Sequence, residues 1–426
     1  MSSPQMKNIH SYTRRRAIGS GLCLAFASPI ISFAKEREKV QWAGVSLAGQ
    51  WESASILMPA VHSLIIDDAF RLKLNDRVTS VLRGQSGFQN RFEFVTEGAL
   101  SRQGADAYAL TLAITGEFVS SVEAMGADGV PFQELSVRLR GLVMMANVSM
   151  DPMRQRVVCS YPIRTAYRTR LPGATKVKAQ ETRRIIESML MGELGPNSDF
   201  VAKFKERVPM LMVRERDEWV TVSPLRITPE VASRSGLSTK QQEHATALAS
   251  SVLEAGISSA ANIPIVPASA DGSLNELKLS FADRGGMAFR NPDPSFSLDV
   301  SVYVLASQTA EQQAQTLRGY VTRFVGGFQV DYSKIDGDKR RDTVVSLRLQ
   351  KQAAITYFGS SVDARKFEIG DQYLALITLF SEDLVQNLIP ANEKWLDQHR
   401  AGSETKSARQ MFELIRKELP SPSRGS

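Results

Sequence analysis

The 426-residue chain has 52 Lys and Arg against 45 Asp and Glu, a formal charge of +7, with 43% apolar residues, four His and two Cys. Four of the bases, Lys7, Arg14, Arg15 and Arg16, precede residue 35, so the rest carries 48 bases against 45 acids. That near balance gives no support to a nucleic-acid partner, a single remaining Cys excludes an internal disulfide framework, and the apolar content suits a globular protein large enough for two domains.

Residues 1–34 read as an export signal. Thr13-Arg14-Arg15-Arg16-Ala17-Ile18 supplies a charged segment, and Gly19 to Phe26 with Ile30-Ile31 supplies a short apolar one. Arg14 and Arg15 behind a hydroxyl residue fit the pair read by the twin-arginine translocase. Ser32-Phe33-Ala34 before the charged run Lys35-Glu36-Arg37-Glu38 places cleavage after Ala34. The apolar stretch is shorter than the roughly 20 residues a membrane span needs, as is every later one. The expected location is therefore the periplasm or the medium, with no transmembrane span in the mature chain.

In the mature chain, spacing predicts a helix over Leu64 to Leu82, with Asp68 misplaced on its apolar stripe. Leu110, Leu112, Ile114, Phe118 and Val122 then alternate with Thr111, Thr115, Glu117 and Ser121, the pattern of a half-buried strand. Long strands follow over Leu135 to Ser149 and Arg156 to Ile163 around the turn Asp151-Pro152, completing a meander. Thr182 to Leu194 reads as a helix. Ser238-Thr239-Lys240-Gln241 is a capping box opening an Ala-rich helix to about Leu253. Phe296, Leu298, Val300, Val302 and Val304 form another alternating strand, and Val344 to Leu349 a later one. Ser381 is positioned to cap a helix carrying Leu384, Val385 and Leu388, and Ser403 to Leu419 reads as a terminal helix before a Pro- and Ser-rich tail.

A shift of 185 residues places Arg138, Gly141, Asp151 and Arg156 on Arg323, Gly326, Asp336 and Arg341, with the Asp151-Pro152 turn falling on Asp336-Gly337. Against this duplication, Thr309-Ala310-Glu311-Gln312 is a capping box, and Ala310, Ala314, Leu317, Val321 and Phe324 have helical spacing. The expected fold is α+β, with two successive, duplicated units, each a mostly antiparallel β-meander packed with helices. The expected boundaries are 1–34 for the signal, 35–232 and 233–400 for the units, and 401–426 for the terminal helix and tail.

The strand Leu112-Ala113-Ile114-Thr115-Gly116-Glu117-Phe118-Val119, followed by Glu134-Leu135-Ser136-Val137-Arg138-Leu139-Arg140, resembles a unit of bacterial envelope proteins. It is similar to the α/β periplasmic domain of the curli secretion lipoprotein and to the amino-terminal domain of the TolB translocation protein. The resemblance covers about residues 55–170 and extends to a second copy over 240–390. It implies a scaffold or interaction role in the envelope by analogy of fold, and it transfers no binding residue.

Motifs for chemistry are sparse. His62, His244 and His399 are far apart and without metal-ligand spacing. Ser403-Glu404-Thr405-Lys406 lacks the companion elements of the penicillin-binding class, and there is no nucleophile elbow or phosphate loop. No catalytic, cofactor or metal residue is assigned. Cys159, among Val157, Val158 and Tyr161, reads as a buried small hydrophobe.

One strip stands out. Arg154, Arg156, Arg164, Arg168 and Arg170 share parity, with Tyr161 and Tyr167 interleaved, a candidate surface for phosphate, carboxylate or an acidic partner. The expectation is a periplasmic binding or scaffold protein in envelope assembly or transport, partnered by an envelope protein or anionic envelope polymer. The alternative is a periplasmic hydrolase with an unrecognised active site.

Overall fold

The computed structural model describes residues 37–95, 108–125, 131–148, 154–172, 178–213, 219–267, 275–283, 285–314, 317–336, 341–358, 369–388 and 392–401. Arg14, Arg15, Ala34 and the helix expected over 403–419 lie outside them.

The chain runs through β1 (Glu38–Ala48), α1 (Trp51–Leu57), α2 (Pro59–Ile66), α3 (Asp68–Arg83), α4 (Ser86–Gln89) and β2 (Phe92–Val95). Three long strands follow, β3 (Tyr108–Met125), β4 (Pro131–Asn147) and β5 (Arg156–Pro172), then α5 (Ala179–Met191) and α6 (Phe200–Arg207). The second series is β6 (Val220–Val222), β7 (Arg226–Ile227), α7 (Pro229–Ser235), α8 (Thr239–Ala261), the hairpin β8 (Glu276–Phe281) and β9 (Gly285–Arg290), and a further long meander, β10 (Phe296–Ala314), β11 (Leu317–Ile335) and β12 (Arg341–Phe358). It ends in α9 (Ile369–Leu388) and α10 (Glu393–His399). The fold is α+β.

Local chemistry explains where the helices break. The stripe expected over Leu64 to Leu82 is two helices, because the Asp67 carboxylate accepts from the backbone N–H groups of Ala69 and Phe70 and starts α3. Asp68 is then a first-turn acid, which accounts for its misfit. The Ser238 capping box forms as expected and opens α8. Ser381 caps nothing; it lies inside α9, where its hydroxyl donates to the Ile377 carbonyl. Nor does Thr309 open a helix, since residues 310–314 and 317–325 belong to β10 and β11, and the Thr309 and Thr322 hydroxyls bond across the ladder at 2.9 Å. Strand pairing overrides the local cap.

The first sheet has the order β2-β1-β3-β4-β5-β9-β8, and β8 also pairs with β1 through Leu47 and Ala48. One end of the sheet therefore curls into a ring, with its own core of Leu142, Met144, Val157, Leu277, Leu279 and Phe289. The second sheet is ordered β12-β11-β10-β6. In both, a strand lies parallel beside the first strand of an antiparallel meander, β1 beside β3 and β6 beside β10. Helices α2, α3, α5 and α6 cover one face of the first sheet around Leu64, Leu74, Leu190 and Phe204. Helices α8 and α9 lie between the sheets. Phe380 of α9 stacks on Phe328 of the second sheet, while His244 of α8 meets Phe118 of the first.

Bulges in the long strands reverse the side-chain alternation, because one extra residue shifts the period-2 pattern by a face. In β3 the register moves from Ile114↔Gly141 to Gly116↔Arg140. Beyond it Glu117 and Val119 point to the α2 side and Phe118 to the α8 side, so Phe118 does not share a face with Leu110, Leu112 and Ile114. Glu117 uses this reversal to accept from Val61 N at 2.8 Å at the start of α2. In β10 the slip lies between Val302 and Val304, leaving Phe296 to Val302 in the core and turning Val304 outward, 38% exposed.

Candidate anion-binding face

The arginine strip on β5 is broken by the same mechanism. The register changes from Met145↔Cys159 to Ala146↔Val157, so a bulge at Val158 separates Arg156 from the rest of the strand. Arg156 sits opposite Asn147 on the face that carries Val143 and Met145, whereas Arg164 sits opposite Arg140 on the other face. Arg154 and Arg156 also lie roughly 26 Å or more from Arg164 along the strand, at about 3.3 Å per residue. Both are exposed, and Arg156 pairs with Arg290 of β9 at the ring end. Arg170, exposed near the opposite end, lies over the Phe132 ring at 4.8 Å.

The structure brings together a different set. Arg138 of β4 stands opposite Ala166 of β5, so Arg164 and Arg168 flank it diagonally on one face, within the 7–8 Å typical of such neighbours. Ala166 is exposed, a small floor between three long cationic side chains. Arg164 reaches Glu382 of α9 at 3.4 Å, a long contact between side chains 40% and 33% exposed. Among the described residues neither Arg138 nor Arg168 has a carboxylate within ion-pair distance. Burial holds the Arg138 guanidinium below its ordinary pKa; the charges of Arg168 and Arg164 push the same way and Glu382 opposes them. Ser136 is the register partner of Arg168, and its hydroxyl is buried with no hydrogen-bond partner.

The alternation that places Arg138 and Arg140 on the even face of β4, ahead of Leu142 and Met144, already puts two arginines on one face. What the alternation does not give is which β5 residues stand beside them. That depends on the β4–β5 register.

Next along this face, Arg140 turns toward α8. Its Nε donates to Thr115, the bulged residue of β3, at 2.9 Å. Glu254 of α8 is buried here, and burial raises its pKa, with the Arg140 charge opposing as the weaker influence. A carboxyl with a raised folded-state pKa favours folding most below its unfolded value near 4.5, and that contribution is lost as pH rises through the folded value. Glu254→Gln should therefore stabilise the protein at neutral pH by about 1–2 kcal/mol, and the difference should vanish in acid. Urea titrations at pH 7 and pH 4 check this; a variant less stable than the parent at pH 7 would mean that the Arg140 attraction outweighs burial.

Elsewhere, an open cleft of about 650 Å³ is lined by Arg226, Thr228, Gln242, Glu243, Gln329 and Asp331 among others. The Asp331 carboxylate is already engaged, accepting from Gln329 at 3.0 Å and Ser346 at 2.5 Å. Of the remaining histidines, His62 packs on Trp51 with its Nε2 buried and without a hydrogen-bond partner, and His399 stacks on Trp395. Cys159 is fully buried. Among the described residues no helix is long and apolar enough to cross a membrane.

No protein-family profile and no curated protein matches the chain. Among solved structures, it is similar to a minor lipoprotein from Acinetobacter baumannii, at 10% identity and a TM-score of 0.22, over 43% of this chain and 96% of that one. A hypothetical protein from Chlamydia trachomatis is similar at 11% identity and a TM-score of 0.19, over 41% of this chain and 95% of that one.

Proposed function

We propose that the chain is an exported periplasmic binding or scaffold protein that serves envelope assembly or transport, and that it acts by holding an anionic envelope polymer or an acidic partner. The observation that carries this reading is the arginine-bearing face of β4 and β5, where, of Arg138, Arg164 and Arg168, only Arg164 has a carboxylate within ion-pair distance among the described residues. Guanidinium forks suit phosphate and carboxylate oxygens, and rigid strands hold them in place. The twin-arginine pattern at Arg14 and Arg15 and the cleavage pattern ending at Ala34 support the location, and the resemblance of residues 55–170 to the curli secretion and TolB units supports the envelope setting. We also read the two meanders as duplicates, supported by their common strand order.

Sedimentation of the purified protein with peptidoglycan sacculi and with lipopolysaccharide tests the binding role. Association that weakens with salt and is reduced several-fold in an Arg164→Ala, Arg168→Ala double variant is expected. Equal pelleting of the double variant and the parent would remove these arginines from the reading. A periplasmic hydrolase remains the second reading, favoured by the cleft that holds Glu243 and Asp331.

A further inference from the structure

We propose that Arg138, Arg164 and Arg168, with the Ser136 hydroxyl, form one discrete site for a phosphate dianion, and that Glu382 occupies it as an internal substitute anion when no phosphate is bound. This rests on the anion-binding reading above and narrows it to one place and one chemistry. Arg154, Arg156 and Arg170 are no part of it.

Three features converge. The register fixes Arg164 and Arg168 on either side of Arg138, with the small, exposed Ala166 between them. Among the described residues only Arg164 has a carboxylate within ion-pair distance, so the Arg138 and Arg168 charges have no close counter-ion, an arrangement that costs free energy unless an anion joins it. Ser136 adds a neutral donor whose hydroxyl is buried and makes no hydrogen bond within the protein. A dianion matches the excess charge, and its several oxygens accept from separated forks, as a single carboxylate cannot. Among the described residues Glu382 is within ion-pair distance of Arg164 alone, at 3.4 Å, so a stronger anion can displace it without breaking a close pair.

The phosphate could be free or carried on a lipid headgroup. Calorimetry with inorganic phosphate, and flotation with phosphatidylcholine vesicles with and without phosphatidic acid, distinguish these sources. Binding in either arm, with acetate binding weakly or not at all, is expected. Arg138→Gln and Arg168→Gln should each weaken it roughly tenfold or more, the loss of a charged hydrogen-bonding partner. Glu382→Gln should move the other way, tightening binding a few-fold because the competing carboxylate is gone; a purely structural role for these residues predicts no gain. Arg138→Lys, which keeps the charge and loses the fork, should fall between parent and Arg138→Gln, and serves if the Gln variant fails to fold. The proposal is overturned if neither phosphate form binds, if acetate binds as well as phosphate, or if Glu382→Gln weakens binding. If phosphate binding fails while salt-sensitive pelleting with envelope polymers persists, the discrete site is wrong and the wider reading stands. If pelleting is absent too, both fall.

Discussion

Gly256→Ala is expected to destabilise the protein by about 2 kcal/mol, although in an exposed helix the same change would stabilise by about 1 kcal/mol through propensity. Gly256 lies inside α8 where it crosses α9, and a β-carbon there would overlap the side chain of Val385, coming within 2.9 Å even of its Cβ. Branching at Cβ leaves Val385 no rotamer that relieves the overlap. The helices cannot simply part, since they are packed between two sheets, and overpacking of this kind costs about 1–3 kcal/mol. Denaturant melts of Gly256→Ala, Val385→Ala and the double variant decide the matter. Val385→Ala should recover much of the loss in the double variant, giving a clear non-additive coupling; additive effects would show that the two residues do not meet.

Arg77→Ala should cost more, about 3 kcal/mol, the lower end of the range for breaking a buried ion pair from one side, because this pair is only mostly buried. Its guanidinium donates to Asp199 at 2.6 Å and to the Leu190 carbonyl at 2.5 Å, with the two charged side chains 24% and 14% exposed. Asp199 is also the cap of α6, accepting from Ala202 N at 3.0 Å. One side chain thus joins α3 to the end of α5 and the start of α6. Its removal strands a carboxylate and a carbonyl together. An Arg77→Met, Asp199→Asn pair, which leaves no uncompensated charge, should lose less than Arg77→Ala alone. A loss under 1 kcal/mol for Arg77→Ala would place this pair among ordinary surface bridges.

Much of the element order was legible because it is written in local periods. The alternation in residues 110–114 and 296–302, the Ser238 capping box and the helix over Thr182 to Leu194 all rest on contacts within a few residues of each other. Bulges were not legible. A parity reading assumes an unbroken strand, so it assigned Phe118 and Val304 to faces they do not occupy and joined Arg156 to Arg164 across a reversal at Val158. Glycine opposite the slip, Gly141 in β4 and Gly327 in β11, is the nearest trace in the sequence. Helical spacing over 310–325 failed for a related reason, since side-chain periodicity competes there with three-stranded pairing that no local window contains. For the candidate site, residue type pointed to β5, but its composition depended on register. Half of it comes from β4, and its one acid from α9, more than two hundred residues away in sequence.

The ring at the end of the first sheet has a consequence for the order of events in folding. Leu47 and Ala48 pair with Ser280 and Leu279, so its last seam closes between residues separated by most of the chain's length. Such distant pairing is slow to form, because a long loop must be brought together before the contact rewards it. A nascent chain that has released its first meander still presents unpaired strand edges at that end, open to pairing with another copy. The segment that seals them arrives only with β8 and β9. A ring closed this late leaves its edge strands open for longer than one sealed by strands that are neighbours in sequence.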